Sequence, residues 1–178
     1  MSHQSLYQQK RMSALDAIGV VNNGDTIVVP TAVGEPPALL TALSDVRHRF
    51  HGVRVSQILP MRKYAYLDPQ TAEHVRHAAY FFSGATRPGG QDGWVDYIPA
   101  HFSEIPGLLE RGLLPADVVF SIASPMDEHG YFSLSLGPDY TMAALAKARA
   151  VVLEVNPHVP FAVGNCHIHI SQVAALTE

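Results

Sequence analysis

The sequence has little cysteine, little charge and no long apolar run. Cys166 is the one cysteine among 178 residues, so no disulfide can form within the chain, which is typical of a reducing compartment. No apolar stretch reaches the roughly 18 residues that cross a bilayer, and segment 1–9 has no apolar centre of a secretory signal. We therefore expect a soluble, cytoplasmic protein that does not bind a membrane.

Charged residues are also few, and their balance is slightly acidic. They make up 16% of the chain, compared with about 25% in ordinary soluble domains. The net charge is -4 and the sequence pI is near 6.2, which argues against the basic face that nucleic-acid binding requires. We expect no nucleic-acid partner, although a small anionic ligand needs only one or two cations.

Several catalytic motifs are absent as well. The sequence has no Gly-Lys-Ser/Thr nucleotide loop, no three-glycine dinucleotide fingerprint and no Gly-x-Ser-x-Gly elbow. His167 and His169 would share one face of a strand, but a zinc site needs further ligands, so we expect no metal. Cys166 lies in a strand-like run without an evident activating partner, and we interpret it as a packed thiol.

Short apolar runs alternate with segments of helical periodicity. The predicted strands are 26–29, 53–59, 78–82, 95–98, 118–123, 150–155 and 167–173. The predicted helices are 6–21, 36–46, 102–113 (with Ser103 as its cap) and 138–148, and 84–90 is predicted to be a flexible loop. This alternation predicts one α/β domain with an open, mostly parallel sheet and helices on both faces.

In such sheets, ligands bind at the loops that follow the carboxyl ends of the strands. The first of these loops, 30–35, lies between a strand and a helix start, where Gly34 and Glu35 indicate an anion site. The alternative is an ordinary strand-to-helix turn. Glu154 and Asn156 follow another strand and are weaker candidates for lining a cleft, together with the loop 156–165.

The remaining edge loop is 124–130, which carries Ser124, Asp127, His129 and Gly130. Neighbouring carboxylate and imidazole groups are suited to acid–base or metal chemistry. The alternative is a polar turn in which Asp127 accepts backbone hydrogen bonds and Gly130 adopts a positive φ. Both interpretations remain open at this point.

Blocks of the sequence, taken in order, resemble one family. These blocks are 22–43 (NNGDTIVVPTAVGEPPALLTAL), 81–87 (FFSGATR), 95–139 (from VDYIPAHFSEIPGLL to SLSLGPD), 146–160 (AKARAVVLEVNPHVP) and 164–171 (GNCHIHIS). They are similar to the N-terminal domain of the acetyl-CoA hydrolase/transferase family, which includes 4-hydroxybutyrate, butyrate and acetate CoA-transferases. The family more often has Gly-Asp-Ser where this chain has Gly164-Asn165-Cys166.

The resemblance implies two similar open α/β domains with the active site between them. It implies that CoA, as substrate and product, moves between an acyl-CoA and a small carboxylic acid, with no covalently bound cofactor. The nucleophilic glutamate would come from a second domain, which nothing in 1–178 matches, so no catalytic residue is assigned here. The substrate-binding candidates are Gly34, Glu35, Ser124, Asp127, His129, Gly130, Glu154 and Asn156.

The resemblance also sets expectations for the whole assembly. We expect 1–178 to be one domain that needs the second domain as its partner, a homo-oligomeric protein, and an isolated chain that is inactive. Two alternatives remain: an acyl-CoA hydrolase, in which water replaces the acceptor acid, and a binding or assembly module without chemistry. The sequence does not identify the acyl group or the acid.

Overall fold

A computed structural model describes residues 2–178. It contains nine strands: β1 Thr26–Val28, β2 Val53–Gln57, β3 Val75–Ala79, β4 Val95–Tyr97, β5 Val118–Ala123, β6 Tyr131–Ser133, β7 Ala150–Val155, β8 His167–His169 and β9 Ala175–Thr177. Its α-helices are α1 His3–Lys10, α2 Ala14–Ala17, α3 Pro37–Asp45, α4 Arg87–Asp92, α5 Ile105–Glu110 and α6 Thr141–Leu145. Short 3₁₀ turns join several of these elements.

Seven strands form one parallel sheet in the order β4-β3-β2-β1-β5-β7-β9. The strands β5 and β7 pair over their whole length and are completely buried, which explains their continuous apolar, β-branched sequences. β6 and β8 form a separate antiparallel pair. The prediction of an open parallel α/β sheet is therefore confirmed.

Consecutive residues of the central strand show how both faces of the sheet are covered. Ile27 belongs to one apolar cluster, in which Leu39 and Leu43 of α3 are packed. Val28 belongs to the other cluster, together with Ile105 of α5. Because side chains alternate along a strand, these two clusters lie on opposite faces, each covered by helices. Within residues 2–178, no helix is both long and apolar enough to cross a membrane.

Several predicted boundaries were wrong. The strand predicted at 78–82 is β3, Val75–Ala79, which pairs with β2 from its first residue, so 80–82 lie beyond the sheet. The loop predicted at 84–90 contains most of α4, which ends at Gly93 with φ 80°. Residues 6–21 form two helices, since Arg11 between them bridges to Leu176 of β9.

Two helices are shorter than the sequence predicts. Residues 102–113 form a 3₁₀ turn and then α5, which ends at Glu110. The cap is His101 rather than Ser103, because the Glu104 carboxylate accepts the His101 backbone N–H at 2.9 Å. The helix predicted at 138–148 is regular only over α6.

The segment predicted as one strand at 167–173 is β8 followed by a 3₁₀ turn, and β9 was not predicted.

Candidate functional site

Two pockets open at the edge where the parallel strands end. The apolar pocket has a volume of about 210 Å³ and is lined by Thr31, Ile58, Tyr80, Phe81, Ala100, Phe102 and Ile105. The edge groove has a volume of about 450 Å³ and is lined by Ala32, Val33, Glu35, Pro37, Met61, Arg62, Ile122 and Asn156. Thr31 lines the first and Ala32 the second, so the turn that follows β1 separates them.

This turn, residues 31–35, is held in one conformation. The Thr31 backbone N–H donates to Oδ2 of Asp139 at 2.9 Å, and the Ala32 N–H donates to the carbonyl of Leu59 at 2.9 Å. Ala32 has φ 48°, in the left-handed region that residues other than glycine rarely adopt. The turn is therefore fixed by partners from two other loops.

Gly34 is required by a close approach of two backbones. A Cβ atom at Gly34 would lie 2.7 Å from Cβ of Pro30 and 3.0 Å from Cα of Gly137. Neither atom belongs to a flexible side chain, so no larger residue fits without moving the chain. Gly34 thus fixes the path of the turn that contributes Val33 and Glu35 to the edge groove.

Glu35 is a buried carboxylate whose two oxygens are both occupied. Its Oε1 accepts from the Tyr64 hydroxyl at 2.9 Å. Its Oε2 accepts from Nε2 of Gln57 at 3.0 Å and from the Met61 backbone N–H at 3.1 Å. Burial, together with the nearby Glu35 charge, raises the pKa of Tyr64. Glu35 therefore joins the turn after β1 to the loop after β2.

Glu154 closes the start of a helix. At the end of β7, its Oε2 accepts the backbone N–H groups of Ala38 and Leu39 at 2.7 and 3.2 Å. These amides belong to the first turn of α3, where the helix dipole favours a negative charge. Burial nevertheless raises the pKa of Glu154, although the two hydrogen bonds and the charge of Arg62 oppose that shift.

Asn156 lies directly beyond β7 and lines the edge groove. Its Oδ1 accepts the His158 backbone N–H at 2.8 Å, and its own backbone N–H donates to the carbonyl of Ala123. Arg62 lies in the same groove. Among residues 2–178, the ion pairs include none to Arg62, whose charge acts on the nearby Glu154 carboxyl without a direct contact.

The loop 124–130 has the geometry of a polar turn. The Asp127 carboxylate accepts the backbone N–H groups of His129 and Tyr131 at 2.9 and 2.8 Å. Gly130 has φ 84°, and a Cβ there would lie 2.8 Å from the His3 ring. Ser124 is buried, and its Oγ accepts the Ser133 backbone N–H at 2.9 Å. These contacts match the polar-turn alternative.

The predicted residues thus divide into two groups. Glu35 and Asn156 share the edge groove, with Gly34 and Glu154 in the structure around it. Asp127 instead lines a separate pocket of about 470 Å³ with Ser2, His3, Gln4, Met126 and Glu128. The loops after β1 and β5 lie at the same edge of the sheet, because these strands are neighbouring and parallel, but they do not form one pocket.

The apolar pocket was missed by the sequence analysis. The Tyr80 hydroxyl accepts from the Ser56 hydroxyl at 2.7 Å, and the Tyr80 and Tyr140 rings lie 5.9 Å apart. Phe81 and Phe102, 56% and 55% exposed, lie in two different loops that line the pocket. The aromatic run Tyr80–Phe81–Phe82, where the strand was predicted too far along the chain, was the available signal.

The histidines near the end of the chain have other contacts. Nε2 of His167 lies 2.8 Å from the carbonyl of Ala162, and Nδ1 of His169 lies 2.7 Å from the Ser171 hydroxyl. Cys166 is buried beside them. Across residues 2–178, no three histidine, cysteine or carboxylate side chains lie close enough together to hold a metal ion.

Comparison with known proteins places this edge in context. A family model described as the acetyl-CoA hydrolase/transferase N-terminal domain matches residues 1–178. A succinyl-CoA:cyclohexane-1-carboxylate CoA transferase of Geobacter metallireducens is 43% identical over 99% of this chain and 40% of its own length. A 4-hydroxybutyrate coenzyme A transferase of Clostridium kluyveri is 33% identical over 100% of this chain and 42% of its own length.

Solved structures show the same fold. The crystal structure of RipA from Yersinia pestis superposes with a TM-score of 0.89 and 32% identity, over 99% of this chain and 44% of that chain. The crystal structure of a 4-hydroxybutyrate CoA-transferase from Porphyromonas gingivalis gives a TM-score of 0.81 and 29% identity, over 98% and 41%. The chain therefore spans about two fifths of the length of these relatives.

Proposed function

Because the chain belongs to the acetyl-CoA hydrolase/transferase family, as its N-terminal domain, we propose that it is the acid-binding lobe of a CoA-transferase. The reaction moves CoA from an acyl-CoA to a small carboxylic acid. One observation carries the proposal: an apolar pocket and a groove containing an unpaired arginine lie on the two sides of one fixed turn at the carboxyl edge. This pairing suits a ligand with an apolar body and an anionic group.

The covalent steps need a glutamate from the second domain. Its carboxylate attacks the thioester carbonyl, CoA leaves as a thiolate, and an acyl–glutamyl anhydride forms. The thiolate then attacks the glutamyl carbonyl and releases the first acid, leaving CoA on the glutamate as a thioester. The acceptor acid reverses these steps, so it leaves as the new acyl-CoA and the glutamate is regenerated.

The hydrogen bonds of the carboxylates at this edge support the proposal that the nucleophile comes from the second domain. Glu35 accepts three hydrogen bonds, and Glu154 accepts two from a helix start. Both oxygens of Glu35 are hydrogen-bonded, so a nucleophilic attack by this carboxylate would break those bonds. Oε2 of Glu154 is held by two backbone amides, which ties that carboxylate to the start of α3. In our proposal, both residues maintain the shape of the site, and neither acts as the nucleophile.

The proposal assigns a binding role to Arg62. Its guanidinium offers several N–H donors to the carboxylate of the acid or to a phosphate of CoA, which share this anionic chemistry. Asn156 lines the same groove, and Gly34 lies in the turn that contributes Val33 and Glu35 to its lining. A role for Ser124, Asp127, His129 and Gly130 in substrate contact remains part of the proposal; of these four, Asp127 lines the separate pocket beside His3.

The test is steady-state kinetics on the full-length protein that contains both domains. We expect Arg62→Gln to raise KM for the acid or for the acyl-CoA by about tenfold or more, since a charge-assisted hydrogen bond contributes roughly 1.5–3 kcal/mol. Arg54→Gln is the matched control, because Arg54 lies exposed near the start of β2. Equal KM values for the two variants would refute the assignment of Arg62.

The same preparation separates CoA transfer from hydrolysis. A transferase forms new acyl-CoA at a rate that depends on the concentration of the added acid, and it releases little free thiol. Release of free CoA that is indifferent to added acid would instead establish the hydrolase. The isolated 178-residue chain is expected to form no acyl-CoA in this assay, since it lacks the proposed nucleophile.

A further inference from the structure

The apolar pocket has the size and lining to select among acids. Resting on the proposed function, we infer that the acid is apolar, with a compact branched or alicyclic body of five or six carbons beyond its carboxyl group. The pocket volume of about 210 Å³ is many times the roughly 10–15 Å³ that a single water needs, so the pocket admits a body of several carbons. A body of this size fills the pocket, whereas the methyl group of acetate leaves most of it empty.

The lining contains no group that would compensate a buried charge. Its residues are apolar or aromatic except for the hydroxyls of Thr31 and Tyr80. The Tyr80 hydroxyl accepts from Ser56, and the two hydroxyls can offer hydrogen bonds but no positive charge. A second carboxylate, as in a dicarboxylic acid, would be buried here without a cation and would lose its hydration. The pocket therefore disfavours charged acyl bodies.

The position of the pocket also orients the acid. Thr31 belongs to the turn that separates the pocket from the edge groove, and Arg62 lies in that groove. We place the carboxyl group of the acid at the Thr31 end of the pocket, which borders the edge groove. The body extends from there towards Ala100 and Phe81, which lie in the loops beyond β4 and β3.

Two aromatic residues give the pocket its adjustable wall. Phe102 contacts the buried Tyr140 ring edge-on, with centroids 6.1 Å apart, although it is half exposed. Phe81 is exposed to a similar degree in a different loop. Exposed side chains change rotamer readily, so these two rings can pack against an apolar body. A substrate that reaches both rings would bury apolar surface that a smaller acid leaves in water.

The experiment is an acceptor series on the full-length transferase: acetate, butyrate, 3-methylbutyrate, cyclopentane carboxylate, cyclohexane carboxylate and succinate. We expect kcat/KM to rise about threefold to fourfold for each added methylene until the body has five or six carbons. We expect succinate to react at least tenfold more slowly than butyrate. This series needs no variant, so it does not depend on the folding of a mutant.

A narrowed pocket provides the second measurement. Ala100→Leu should lower kcat/KM for the two cyclic acids at least tenfold and leave acetate within about twofold, because the added side chain occupies the space of their rings. Ala146→Leu is the control, since Ala146 is exposed at the end of α6, away from the pocket.

The outcomes separate the two proposals. If acetate or succinate is the best acceptor, or if Ala100→Leu affects all acids equally, the size selection is wrong while the CoA-transferase function stands. If no acid accepts CoA, the proposed function is refuted and the size selection falls with it.

Discussion

We expect His77 to make the stability of this domain depend on pH. It lies in β3 and is 1% exposed; its Nδ1 is 3.5 Å from the Tyr66 hydroxyl, and its Nε2 has no hydrogen-bond partner. Burial in these surroundings lowers the pKa of His77 from its ordinary value of 6.5 to about 3. A protonated imidazole at this position would be a buried charge without a partner.

The sign of the effect follows from proton linkage. Between pH 6.5 and about 3, the unfolded chain binds a proton at His77 that the folded chain does not bind. The contribution of neutral His77 to the free energy of unfolding is therefore fully present above pH 6.5 and is lost as the pH falls. At pH 5, which is about 1.5 units below the unfolded pKa, the loss is about 2 kcal/mol.

The perturbation is His77→Leu, and the assay is urea unfolding at pH 7.5 and at pH 5. At pH 7.5 we expect the variant within about 1 kcal/mol of the natural protein, because leucine is similar in size and removes the unpartnered nitrogen. Between the two pH values, the variant should gain about 2 kcal/mol relative to the natural protein. Comparing the two proteins cancels the contributions of Glu154 and Asp139, whose pKa values are raised by burial.

His51→Leu is the matched control, because His51 is exposed in the loop before β2. We expect its stability to follow that of the natural protein at both pH values. The difference in unfolding free energy between the natural protein and His77→Leu could change by less than about 0.5 kcal/mol from pH 7.5 to pH 5. That result would refute the reasoning, since it would show that His77 does not stay neutral when buried.

The remaining predictions concern the turn after β1 and the loop that contains Asp127. Gly34→Ala should destabilise the chain by about 1–3 kcal/mol in urea unfolding, whereas Gly19→Ala, with open space around it, should stay within about 1 kcal/mol. Asp139→Ala should lower the free energy of unfolding by about 2–4 kcal/mol, because Asp139 accepts three hydrogen bonds. Asp139→Asn should restore part of that loss, and identical values for the two variants would contradict this explanation. The double change Asp127→Ala and His129→Ala should lower kcat/KM more than twofold if that loop contacts substrate, and unchanged kinetics would remove it from the site.

The long buried strands at the centre of the sheet could be predicted because each carries its own signal. The predictions for β5 and β7 agree with the structure, since a parallel strand buried on both faces reads as a continuous apolar run. The family could be predicted for a related reason: ordered blocks along the chain resembled one domain. That prediction is confirmed by the family model and the relatives.

Short elements were predicted poorly because distant parts of the chain stabilise them. β9 has three residues, and it exists through its pairing with β7. β6 likewise exists through its antiparallel pairing with β8, more than 30 residues further on. The break between α1 and α2 follows from the bridge of Arg11 to Leu176. No local periodicity contains such information, since the partner is elsewhere in the sequence.

The sequence by itself determined the alternation of strands and helices, and with it the edge at which a ligand would bind. Only the tertiary structure decided which polar side chains at that edge are free. Glu35 and Glu154 read as open carboxylates in the sequence. In the structure, both oxygens of Glu35 and Oε2 of Glu154 accept hydrogen bonds from distant segments, whereas the ion pairs among residues 2–178 include none to Arg62. Apolar patterning is local and repeats along the chain, but a hydrogen-bond partner or a pocket wall is contributed by segments that meet only after folding.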